Sequence, residues 1–94
     1  MTLPQTLPPG TTVAVVCELY ADHYLIALYH VLSNGCYAWD SLFGPDGTVE
    51  STFTTRIQAE DYIRSKKWIL QNKLLHGLPA KTADVVIGNL KVLE

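Results

Sequence analysis

Apolar and polar positions along the first half of the chain follow a strand-like pattern, and the period changes near residue 55. Thr11 to Tyr20 (TTVAVVCELY) and Tyr24 to Leu32 (YLIALYHVL) are dense in β-branched and aromatic side chains, which suit a pleated, half-buried surface. Both read as strands, although the run 13–32 is apolar on both faces and periodicity alone does not separate strand from helix there. Ala21-Asp22-His23 supplies a short turn. Asn34-Gly35 predicts a two-residue type I′ turn, because both central positions need φ > 0. A third strand, Cys36–Phe43, follows. Gly44-Pro45-Asp46-Gly47 then turns the chain into a fourth, Thr48–Thr54.

At Thr55 the pattern becomes helical. Thr55 and Gln58 have the spacing of a capping box. Helical signals run to His76, where Gly77 and Pro79 supply a stop. Ala83–Leu93 predicts a last strand, bulged at Gly88. Residues 1–10 hold three of the five prolines and read as an irregular lead-in to a single domain, 11–94. The expected architecture is α+β: an antiparallel sheet of four to five strands in the order β-β-β-β-α-β, with a long helix, 55–76, on one face. The alternative is a small SH3-like barrel opening at Gly10–Val16, with the helix appended.

The turns set a register. A two-residue loop at Asn34-Gly35 pairs Leu32 with Tyr37 and His30 with Trp39. A symmetric second hairpin pairs Phe43 with Thr48 and Trp39 with Thr52. Alternation then sorts Leu25, Ala27, Tyr29, Val31, Ala38, Leu42, Val49 and Phe53, with Asp40 and Ser51, onto a core face for the helix to cover. The other face gathers Leu28, His30, Leu32, Tyr37, Trp39, Phe43, Glu50, Thr52 and Thr54. Aromatic side chains with polar neighbours on an open sheet face mark a contact surface. On the helix, Ala59, Ile63, Leu70 and Leu74 form one stripe, and Ile57, Trp68 and Leu75 form a second. The second stripe makes Trp68 a further anchor.

Composition narrows the classes. Ninety-four residues, 48% hydrophobic and 17% charged, exclude a disordered chain, and two cysteines exclude a disulfide scaffold. The N-terminus lacks the basic and apolar regions of a secretory signal. Glu18, Asp22, His23 and His30 interrupt the one long apolar stretch. The chain is expected to be cytoplasmic, with Cys17 and Cys36 as reduced thiols. Charge is unevenly spread. Residues 1–55 carry Glu18, Asp22, Asp40, Asp46 and Glu50 and no Lys or Arg, and all seven cations lie beyond them.

Candidate chemistry is sparse. Cys36 and His30 fall on opposite faces in this register, and the three histidines have no metal-ligand spacing, so no catalytic residue, metal or cofactor is expected. A three-stranded meander followed by a helix, over residues 23–76, resembles in layout the arm-type DNA-binding domain of tyrosine recombinases. That resemblance implies a DNA-contacting sheet with basic side chains, whereas these strands carry none. Nucleic acid would fall to the helix instead, through Arg56, Arg64, Lys66, Lys67 and Lys73, and is the second reading. The first is a small non-enzymatic protein–protein interaction module or regulator. It is expected to self-associate, as a homodimer, or to meet another protein. His30, Tyr37, Trp39, Phe43, Glu50 and Trp68 are its contact residues. One version presents the acidic half to a basic partner.

Overall fold

A computed structural model describes residues 7–71, Gly77, Ala80, 85–87 and 90–92, the last six through their backbone alone. Three strands come first: β1 (Thr12–Tyr20), β2 (His23–Val31) and β3 (Tyr37–Phe43). The helix α1 (Arg56–Ser65) and three short strands follow, β4 (Ile69–Gln71), β5 (Val85–Ile87) and β6 (Leu90–Val92). Together they make a small α+β fold with a mixed sheet, in the order β3-β2-β1-β4-β5-β6. Strands β3, β2, β1 and β4 carry the core. β1 pairs antiparallel with β2 but parallel with β4, through Val13↔Ile69, Ala14↔Leu70 and Val15↔Gln71. The sheet is therefore mixed and open, neither wholly antiparallel nor a closed barrel. The expected last strand, Ala83–Leu93, is in its described parts two short paired strands.

The three early strands lie where the apolar pattern puts them; the loop between β2 and β3 does not. Gly35 N–H donates to Leu32 O (2.9 Å), Leu32 N–H donates to Cys36 O (2.9 Å), and Asn34 Oδ1 accepts from Cys36 N–H (3.0 Å). In this loop only Gly35 has positive φ, 83°. This is a three-residue loop closed by an αL glycine, not a type I′ turn. One extra loop residue slips the register, so Val31 pairs with Tyr37 and Tyr29 with Trp39. A period of two turns that slip into an exchange of faces. A bulge at Asp40 then reverses the parity again for Leu42 and Phe43.

The expected fourth strand, Thr48–Thr54, forms only one bridge, Tyr24↔Phe53. The Asp46 carboxylate accepts from the Thr48 N–H (2.9 Å), the Thr48 hydroxyl (2.8 Å) and the Ser51 hydroxyl. Local bonds of this kind compete with a strand ladder. The segment closes into a compact loop between Phe43 and Phe53. Gly44 is required there, since a Cβ would collide with the Ser51 carbonyl.

The helix begins as its cap predicts: the Thr55 hydroxyl accepts from Gln58 N–H at 3.1 Å. The return bond of the capping box shifts by one residue, from Thr54 N–H to Gln58 Oε1 (3.1 Å). The helix stops at Ser65, eleven residues short of His76. Lys67 takes φ 61°, and Lys67 and Trp68 N–H donate to Arg64 O (3.0 Å) and Ile63 O (3.3 Å). This is a Schellman stop with lysine in the position glycine usually holds. A left-handed lysine costs roughly 1–2 kcal/mol. Residues 69–71, expected to be helical, leave as β4.

Both sheet faces are buried. On one, Ala14, Val16, Ile26, Phe43 and Leu70 pack against Phe53 and the helical Ala59 and Ile63, with Leu28, Tyr62 and Trp68 at the margin. On the other, Val13, Val15, Ala27, Tyr29, Val31 and Tyr37 pack with Leu7 and Ala80. The helix thus covers the face expected to stay open. Full burial of one such aliphatic side chain contributes roughly 1.5–3 kcal/mol, so Ile63 is a principal tie between helix and sheet. Among the described residues, no helix is long and apolar enough to cross a membrane.

Candidate interaction surface

The six expected contact residues do not share a surface. Tyr37 is 2% exposed, inside the cluster opposite the helix. Phe43 is buried on the helix side, edge-on to Tyr62 (5.9 Å) and Trp68 (6.1 Å). Trp68 lies beyond the helix end and folds back onto it, so the second helical stripe dissolves. His30 is half-buried on β2, paired with Ala38. Trp39 is 43% exposed and stands edge-on to Tyr29, centroids 5.6 Å apart. Glu50 is exposed in the 44–53 loop. No open aromatic face exists among them, because the register slip and the helix placement each consume part of it.

The basic helix is partly neutralised from within. Arg56 Nε lies 3.0 Å from Glu60 Oε2, and Arg64 reaches both Glu60 (3.7 Å) and Asp61. The helix's own four charges sum to zero. Lys66 Nζ sits 5.5 Å above the Tyr62 ring, Lys67 is exposed, and Lys73 lies outside the described residues. Phosphate binding along 56–73 therefore loses two of its five cations to internal pairs.

The cysteines stand at opposite ends of the sheet. Cys17 pairs with Leu25 on β1–β2, while Cys36 closes the loop before β3. Both are free and half-buried. Burial pushes the Cys17 thiol up, with Arg56 opposing more weakly, so it is less ionised than an ordinary thiol. Among the described residues, no group of three or more His, Cys, Asp or Glu is placed to hold a metal ion.

What the fold does assemble is one end of the sheet. β1 finishes there, the chain turns at Ala21 and Asp22 (φ 64°), and β2 begins. A ladder irregularity between Glu18 and Tyr20 leaves Leu19 unpaired and 51% exposed. The Tyr20 ring lies tilted on His23 at 4.1 Å, and His23 Nδ1 is 2.8 Å from Thr52 Oγ1. The 44–53 loop stands on the same end, because Phe43 pairs with Ile26 and Phe53 with Tyr24. The helix starts there too, with Ile57 67% exposed. Of the six exposed large apolar residues among those described, four (Leu19, Tyr20, Val49 and Ile57) gather at this end.

The same end collects carboxylates. Glu18, Asp22, Asp46 and Glu50 are all exposed, and its one described Lys or Arg, Arg56, is paired with Glu60. Hydrogen bonds from Ser51 and Thr48 hold the Asp46 carboxyl below the usual aspartate range. A depressed carboxyl stabilises the loop above the ordinary range, and the effect fades as pH falls through the lowered value. The acidic excess of residues 1–55 was visible in the sequence; its meeting with exposed apolar side chains was not. Alternation places Val49 on the core face, and Leu19 and Tyr20 carry no sign in the sequence beyond that of strand residues. No protein-family model matches the chain, and neither a curated protein nor a solved structure matches it.

Proposed function

We propose that the protein is a small non-enzymatic interaction module whose contact surface is this acidic, apolar end. The observation that carries the reading is the coincidence of Leu19, Tyr20, Val49 and Ile57, all exposed, with Glu18, Asp22 and Glu50 on one end of the sheet. Apolar side chains supply the area to bury, and unpaired carboxylates select the partner. The partner is a protein surface or segment that is basic and apolar. Nucleic acid is disfavoured at this end by like charge, and along the helix by its internal ion pairs.

A titration with a synthetic amphipathic peptide of lysine and leucine tests the reading, followed by amide chemical shifts. Shifts are expected at 18–22, 48–52 and 56–58, weakening with salt. Glu18→Lys with Asp22→Lys should remove them, and Trp39→Ala should leave them unchanged. No shifts at low salt, or shifts centred on Trp39, would reject this surface.

A further inference from the structure

We infer that the partner of the acidic end is the opposite end of a second copy of this chain, in a head-to-tail contact. The inference rests on the reading of that end as a contact surface. The end opposite is built by the start of β1, the close of β2, the helix C-terminus and the start of β4, since Thr12 pairs with His30 and Val13 with Ile69. It carries Lys66 and Lys67, both exposed, and Leu32, 38% exposed. Among the residues whose side chains are described, these are the cations that no carboxylate neutralises, because Arg56 and Arg64 are bound to Glu60 and Asp61.

Geometry keeps the two ends from cancelling within one molecule. The ten residues of α1, which starts at the acidic end and stops at the other, separate them by ~15 Å at about 1.5 Å per residue, and the nine of β2 by ~26 Å at about 3.3 Å per residue. That is about two to three screening lengths at physiological salt, where the Debye length is about 8 Å. Each end therefore presents its charge to other molecules. Two acidic ends repel each other, so a contact between copies that uses this end must place it on a different surface, a heterologous pairing. Lys67 adds an independent sign. It occupies the left-handed stop of the helix, φ 61°, where glycine would fit without strain, and it holds a cation at the tip.

Sedimentation velocity over a hundredfold concentration range tests the contact. The weight-average mass is expected to rise with concentration at low salt and to fall back as salt is added. Glu18→Lys/Asp22→Lys and Lys66→Glu/Lys67→Glu should each remain monomeric alone, and an equimolar mixture of the two should associate again. Lys67→Gly removes one cation without strain and should weaken association about threefold, the scale of one exposed ion pair, with no loss of thermal stability. A wild-type mass that stays monomeric, or association that persists in either double variant alone, overturns the inference. If the chain is monomeric yet binds the lysine–leucine peptide, the acidic surface stands and only the self-contact fails. If it does neither, both fail.

Discussion

The two faces of the sheet are equally buried but differently built. The helix face is a web of aromatic contacts: Tyr62 meets Phe43 (5.9 Å), Phe53 (5.6 Å) and Trp68 (6.2 Å), and Ile63 and Ala59 fill the space beneath. The opposite face is aliphatic around Tyr29 and Tyr37, and chain segments distant in sequence help to close it. Leu7 N–H donates to Ala80 O (3.0 Å), Ala80 N–H to Gly35 O (2.8 Å) and Gly77 N–H to Tyr37 O (3.1 Å). That face also receives Gln71, fully buried, whose side-chain amide finds no hydrogen-bond partner among the described residues. The contrast teaches that apolar residues on both sides of β1 and β2 mean strands covered twice, with no free platform among the described residues. The proposed contact surface is accordingly an end of the sheet.

Three substitutions break or sharpen this contrast. The largest effect is expected on the helix face. Ile63→Ala removes a fully buried side chain at the helix–sheet contact and should cost about 2–5 kcal/mol in denaturant unfolding. A loss well under 1 kcal/mol would mean that the helix is not what seals this face. Next is the opposite face. A buried amide without a partner carries a penalty of roughly 1–3 kcal/mol. Gln71→Met keeps the volume and should raise the melting temperature, by an amount on that scale; a lower melting temperature would show that the amide is satisfied by ordered water. The smallest change is at the margin. Trp39→Ala gives up an edge-on contact with Tyr29, worth about 0.5–1.5 kcal/mol, and should leave self-association intact. Loss of association in that variant would return the contact surface to the sheet edge.

Much of the fold was legible in local chemistry. β-branched density marked β1 and β2, Gly35 marked a tight loop, and the Thr55 cap marked the first turn of α1 to within a residue. Each depends on neighbours in the chain, which is why each could be read. The helix stop could not, because nothing in Lys66-Lys67-Trp68 resembles a terminator. Lysine takes the left-handed conformation only because β4 must leave toward β1 and Trp68 must reach back to the cluster around Ile63. The face assignment failed for a similar reason. Whether a glycine-containing loop has two or three residues is a small energetic difference, but it reverses Tyr37 and Trp39 across the sheet.

The sequence by itself determined the strand-rich first half, the place where the helix begins and the separation of acidic from basic residues along the chain. These follow from side-chain shape, backbone preference and formal charge, all properties of residues and their near neighbours. Only the tertiary structure decided that β4 inserts parallel to β1, that the helix covers the face of Ile26 and Phe43, and that Leu19, Tyr20, Val49 and Ile57 meet the carboxylates at one end. These choices depend on which long-range packing excludes the most water, a comparison among whole arrangements of the chain that no local segment encodes.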